Sequence, residues 1–146
     1  LRELPSLDST EPCIVVAGAP NVGKSALITA LSSGEPEVAS YPFTTKQLHL
    51  GHFEHRRRAY QMVDTPGLLD RPMVERNRIE MQAIAALEHT GDVLLFLVDA
   101  TEGSTSPLNE QERLLTEVRQ LMSERPMIVI HSKSDILRIL LKAPRP

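Results

Sequence analysis

Eight residues, Gly18-Ala19-Pro20-Asn21-Val22-Gly23-Lys24-Ser25, constrain this chain more than any other stretch. They fit the P-loop pattern G-x-x-x-x-G-K-[ST] directly behind the apolar run Cys13-Ile14-Val15-Val16-Ala17. That run is short, β-branched and bounded by Pro12 and Gly18, which predicts a strand buried on both faces. Behind the pattern, Ala26 to Leu31 places apolar residues at helical spacing. Strand, glycine loop and helix form the context the pattern requires. Gly18 and Gly23 let the backbone turn its N–H groups toward an anion, and the helix amino terminus adds partial positive charge. The expected phosphate-binding set is Asn21, Val22, Gly23, Lys24, Ser25 and Ala26, with Lys24 reaching the β- and γ-phosphates and Ser25 holding Mg²⁺.

The remaining composition bounds the setting. At 146 residues, net charge −3 and 41% hydrophobic, the chain has enough material for one core and gives no nucleic-acid signature by charge alone. Its single cysteine, Cys13, offers no disulfide framework, so a reducing, cytoplasmic setting is expected, with Cys13 as a small core residue. No uncharged apolar run approaches the roughly 20 residues that cross a bilayer, so no membrane partner is expected. Residues 1–11 are polar, contain Pro5 and lack periodicity, which reads as a linker from a preceding region into a domain at 12–146. A first residue of Leu rather than Met points to a fragment of something longer.

Further along, Ser32 to Pro42 reads as a loop broken by Gly34, Pro36 and Pro42. Gln47 to Phe53 and Arg58 to Val63 flank the polar Glu54-His55-Arg56-Arg57 and predict an antiparallel hairpin. After Asp64-Thr65-Pro66-Gly67, a charged loop leads to a helix around Ile79 to Glu88, then a buried strand at Val93 to Val98. Leu114, Leu115, Val118, Leu121 and Met122 share one face of a further helix, and Met127 to Ile130 makes the last clear strand. Strands alternating with helices imply an α/β fold, a mostly parallel sheet with helices on both faces and ligand loops at the strands' carboxyl ends.

Asp64 ends a strand, with Gly67 three residues on, 40 positions after Lys24. An acidic side chain there can hold Mg²⁺ or one of its waters, and the Gly67 N–H can report on a γ-phosphate. With Phe43-Thr44-Thr45-Lys46 between them and Ser132-Lys133-Ser134-Asp135 near the end, these segments follow the order found in P-loop GTPases of Ras-like architecture, which the chain resembles over about residues 12 to 137. Tyr41 to His52, Asp64 to Pro72 and Arg76 to Leu87 resemble, more narrowly, the nucleolar-GTPase (Nog) branch of Obg-related proteins. That resemblance implies a GTP-binding, GTP-hydrolysing switch in large-ribosomal-subunit assembly, with the ribosomal subunit or its RNA as partner of the full-length protein.

Carried over by motif, Thr45 is the switch threonine for Mg²⁺ and the γ-phosphate, with Thr44 as its fallback; Lys24, Thr45 and Gly67 form the catalytic set, and Ser25, Thr45 and Asp64 the metal set. Leu68 stands where Ras-like enzymes carry a water-orienting glutamine, so hydrolysis is expected to be slow without a partner, a monovalent cation or both. Asn21 matches the asparagine that K⁺-dependent relatives use, and equally suits a loop residue tolerant of unusual backbone angles.

The likeness weakens toward the end. Asp135 and Lys133 fit the guanine-binding roles, but Ser132 replaces an asparagine whose amide it is too short to imitate, so guanine preference is expected to be weakened. Residues 136–146 contain no serine-alanine motif, further strand or closing helix, which reads as a truncated or degenerate carboxyl end. Two rivals stay open: a non-hydrolysing interaction module, and an ATPase of another P-loop class. His49, His52 and His55 do not share a strand face and are not read as metal ligands. Arg56, Arg57 and Arg58 could touch ribosomal RNA or form a solvated turn; any of Arg71, Arg76 and Arg78 could approach a γ-phosphate in cis, but they are read as solvent-facing.

Overall fold

The computed structural model describes residues 7–8, 10–40 and 46–132. In chain order they form β1 (Cys13–Ala17), α1 (Lys24–Leu31), β2 (Glu37–Ser40), β3 (Gln47–His55), β4 (Arg58–Asp64), a 3₁₀ turn (Met73–Glu75), α2 (Arg78–Thr90), β5 (Val93–Val98), α3 (Leu108–Leu121) and β6 (Met127–His131). The strands join one sheet in the order β2-β3-β4-β1-β5-β6. β1 runs parallel to β4 and β5, and β5 parallel to β6, whereas β3 is antiparallel to both of its neighbours.

Burial follows from position in this order. β1 and β5 are buried at nearly every residue, and successive strand residues point to opposite faces, so the centre of the sheet is covered on both sides. α1 packs over β3 and β4, and α3 over β5. Val15, Val16, Ile28, Leu50, Val63 and Phe96 are all within the core.

The segment 32–42 is not a loop throughout, because Glu37–Ser40 pairs with β3 from Glu37↔Leu50 to Ser40↔Gln47. Three of its four residues are exposed, so backbone pairing rather than side-chain burial holds it, and no hydrophobic alternation marks it. The hairpin turn is also tighter than the sequence suggests. His55 pairs with Arg58, leaving only Arg56 and Arg57, at φ 51° and 66°, to reverse the chain. Two left-handed residues in a two-residue turn match the twist of the strands they join. Below the turn, Phe53 and Tyr60 stack across the ladder with ring centroids 5.2 Å apart.

The amino-terminal segment is tied to the sheet at its end. Fully buried Gln61 accepts the Asp8 N–H at 3.1 Å and donates to the Asp8 and Glu11 carbonyls. Among the described residues no helix is long and apolar enough to cross a membrane.

Candidate nucleotide site

The topology gathers the Gly18–Ser25 loop and the Asp64–Gly67 segment at one end of the sheet. From β1 the chain moves to α1 and the β2–β4 side; from β4 it crosses through α2 to β5 on the other side. The loops leaving β1 and β4 therefore flank the point where strand order reverses, the usual place for a ligand crevice. Pairing of Val16 with Asp64 sets the second loop's carboxylate beside the start of the first loop.

The first loop is shaped by steric demand as much as by hydrogen bonds. A methyl group on Gly18, at φ 142°, would lie 2.6 Å from the Leu97 carbonyl oxygen. The loop turns again at Asn21, φ 64°, and enters α1 through left-handed Gly23, φ 108°. Asn21's backbone shows the tolerance for unusual angles that was one of its two sequence readings. Among the described residues no side chain caps the start of α1 and no acidic residue occupies its first turn, so its leading N–H groups face the crevice without an anion from its own first turn.

Lys24 is 7% exposed and donates from Nζ to the Gly18 and Ala19 carbonyls, both at 2.8 Å. Burial pushes its ammonium below the ordinary lysine range, an effect the charges of Asp64 and Asp70 oppose. Asp64 is 2% exposed, and burial holds its carboxyl above the usual carboxylate range against the pull of Lys24 and His49. Among the described residues its Oδ1 is buried without a hydrogen-bond partner, as is Thr65 Oγ1. A cavity of about 400 Å³ is lined by Asn21, Gly23, Lys24, Ser25 and Ala26 from the first loop and by Asp64, Pro66 and Asp70 from the second.

This donor set suits a phosphate chain carrying a divalent cation. Among the described residues no three His, Cys, Asp or Glu side chains gather into a metal site. A hard cation here would need phosphate oxygens and water beside Ser25 and Asp64, which is how Mg²⁺ is ordinarily held. The idle Asp64 oxygen fits that part.

The structure thus brings Asn21, Val22, Gly23, Lys24, Ser25, Ala26, Asp64 and Gly67 to one end of the sheet. Ser132 directly follows β6, donates its N–H to the Val98 carbonyl at 2.9 Å, and has Cβ 3.8 Å from where a Gly23 side chain would begin. Thr44, Thr45, Lys133 and Asp135 lie outside the described residues. Leu68 is fully buried, so no polar group at that position faces the cavity.

Three features escaped the sequence reading. Asp70 Oδ2 accepts the Gly67 N–H at 2.9 Å. Arg76 is not solvent-facing: its side chain is 1% exposed, with Nε donating to the Leu68 carbonyl at 3.0 Å, whereas Arg71 and Arg78 are exposed. α2 opens with a capping box in which Asn77 and Glu80 exchange side-chain and backbone hydrogen bonds. The Asn-x-x-Glu spacing was visible in the sequence and signals such a cap. Glu80 also meets Lys46 at 3.4 Å, which brings Lys46 over Gly67.

A glycine loop with a buried lysine, an aspartate on the adjoining strand and a sheet reversing between them define a P-loop nucleotide-binding domain of the Ras-like GTPase type. Residues 13–133 match the family described as 50S ribosome-binding GTPase. The chain belongs to that family. It is 42% identical over 137 residues to nucleolar GTP-binding protein 1 of Drosophila melanogaster, covering 94% of this chain and 21% of the relative. The Encephalitozoon cuniculi protein of the same name is also 42% identical over 137 residues, with 94% of this chain and 26% of the relative covered. The chain therefore spans about a quarter or less of these relatives' length. The crystal structure of a nucleolar GTP-binding protein 1 from Plasmodium falciparum superposes with a TM-score of 0.81 at 35% identity, covering 98% of this chain and 77% of that one. The cytosolic domain of the T. maritima FeoB iron transporter, in a GDP form, shares the fold at a TM-score of 0.71 and 20% identity, over 89% of this chain and 48% of that one. The chain is a GTP-binding GTPase domain related to the nucleolar GTP-binding proteins.

Proposed function

We propose that this domain binds GTP with Mg²⁺, hydrolyses it slowly to GDP and phosphate, and serves as a conformational switch in assembly of the large ribosomal subunit. The observation that carries the reading is the buried Lys24 ammonium, held by two loop carbonyls at a cavity that also exposes the uncapped start of α1 and Asp64. Ser25 and Asp64 would hold Mg²⁺, which when bound offsets charge on the β- and γ-phosphates. Lys24 positions the phosphates, and the Gly67 N–H is the donor for the terminal one. Thr45, or Thr44 beside it, would close over the same phosphate and let go once it has left.

Slow turnover follows from Leu68. Its side chain is in the core, so no group there orients an attacking water. The ribosomal role rests on the family description and on the relatives' names. The exposed Arg56, Arg57 and Arg58 at the β3–β4 turn are suited to touching RNA phosphates.

Single-turnover assays with GTP and Mg²⁺, with and without K⁺, test the enzyme. Phosphate release abolished by Lys24→Ala is expected; no release under either condition leaves a binding module, the reading that buried Leu68 and substituted Ser132 favour. Competition of labelled GDP by GDP and ADP tests the base, and equal affinities would remove guanine recognition.

A further inference from the structure

Asp70 has no part in the chemistry above, yet its carboxylate is buried and closely surrounded. It lies three residues past Gly67, is 8% exposed, and lines the cavity with Lys24 and Asp64. Its Oδ2 holds the Gly67 N–H at 2.9 Å. Among the described residues its Oδ1 is buried without a hydrogen-bond partner, with Arg71 Nε at 3.7 Å and Arg76 Nη2 at 3.8 Å.

The Gly67 N–H is the donor that a terminal phosphate would use. One N–H serves one strong acceptor well, and two anions drawn to the same donor repel each other. We propose that Asp70 is a specificity-determining residue: its carboxylate occupies the Gly67 N–H when the terminal phosphate is absent and must yield it when that phosphate is present. Asp70 thereby tilts the site toward the diphosphate and sets how much a triphosphate must overcome to engage the loop. The inference rests on the guanine-nucleotide reading and deepens it.

The surrounding charges make the exchange feasible. Arg71 and Arg76 already lie beside the idle Oδ1, so a carboxylate leaving Gly67 moves toward cations rather than into an apolar wall. Arg76 also donates to the Leu68 and Arg71 carbonyls, so the displacement is transmitted to the backbone of the loop.

The test compares dissociation constants for GDP and a non-hydrolysable GTP analogue, both with Mg²⁺, in wild type, Asp70→Asn and Asp70→Ala. The amide keeps the shape and removes the charge; the methyl removes both. The expected result is a shift of about tenfold in the GDP-to-analogue ratio toward the analogue, or about 1.4 kcal/mol. A ratio unmoved within threefold, or the two ligands weakening in parallel as for a purely structural loop brace, overturns the assignment. Should Asp70→Ala fail to fold, Asp70→Asn and a measurement on wild type decide. In wild type the Asp70 carboxyl ¹³C signal should shift with the analogue and hold still with GDP; equal response to both also overturns it. A wild-type chain that binds neither ligand would instead sink the guanine-nucleotide reading itself, whereas tight GDP binding with an unmoved ratio removes Asp70's role alone.

Discussion

At Asp64, burial works against stability. The carboxyl is 2% exposed, one oxygen has no hydrogen-bond partner among the described residues, and burial holds it above the usual carboxylate range despite the nearby lysine. Asp64→Asn should therefore raise the melting temperature of the nucleotide-free protein by about 2–4 °C while removing the Mg²⁺-dependent part of nucleotide affinity, measurable by calorimetry. Cys13 gives a second prediction. Burial, with Asp92 nearby, pushes its thiol from the ordinary 9.0 up to about 12. Between those values the unfolded chain has released the proton and the folded chain still holds it, so stability is full below pH 9 and falls as pH rises toward 12. Urea unfolding at pH 8 and pH 10.5 should show this loss in wild type and a smaller one in Cys13→Ala. What was legible at this scale was position fixed by spacing along the chain: Lys24, Ser25, Asp64 and Gly67 meet at one end of the sheet. What was not legible depends on how a loop folds back. Nothing in Gly-Leu-Leu-Asp says that the aspartate will bond the glycine's N–H, and an arginine run gives no sign that Arg76 alone turns inward.

Between residues and fold, the β3–β4 hairpin carries its own conflict. Its two turn residues have positive φ, a region where an L side chain costs free energy that glycine does not, yet both are arginines. Arg57→Gly should raise unfolding free energy by about 0.5–1 kcal/mol, read from the urea midpoint at unchanged slope. If the tip contacts RNA, the same variant should bind RNA more weakly at low salt, separating stability from charge. The elements that could be read directly, β1, β5 and the α3 face, have many apolar residues in period. β2 could not, because it is four residues long, mostly exposed and defined by its partner strand. Gln111 was missed for a similar reason. Fully buried at the start of α3, it exchanges 2.8 Å hydrogen bonds with the Asp99 backbone and reaches the Ser106 carbonyl, so one side chain orders the 99–106 loop.

For the molecule as a whole, α/β alternation was enough to place the loops after β1 and β4 at one end of the sheet, since parallel strands share their carboxyl ends. A ligand there touches segments far apart in sequence and should stabilise the domain as a unit. With Mg²⁺ and GDP at a hundred times the dissociation constant, unfolding free energy should rise by about 2.7 kcal/mol. Lys24→Ala should show almost none of that gain in a denaturation series, and an equal gain would remove the phosphate site.

Lys46 adds a constraint on how such a domain can move. Its ammonium crosses Gly67 to Glu80, so the residue leading into β3 and the first turn of α2 are fastened together over the backbone bend. A methyl group at position 67 would lie 2.7 Å from that nitrogen. The bend can rearrange only by sliding beneath the fastening or by prising it open, and in the second case one local event loosens both edges of the crevice together.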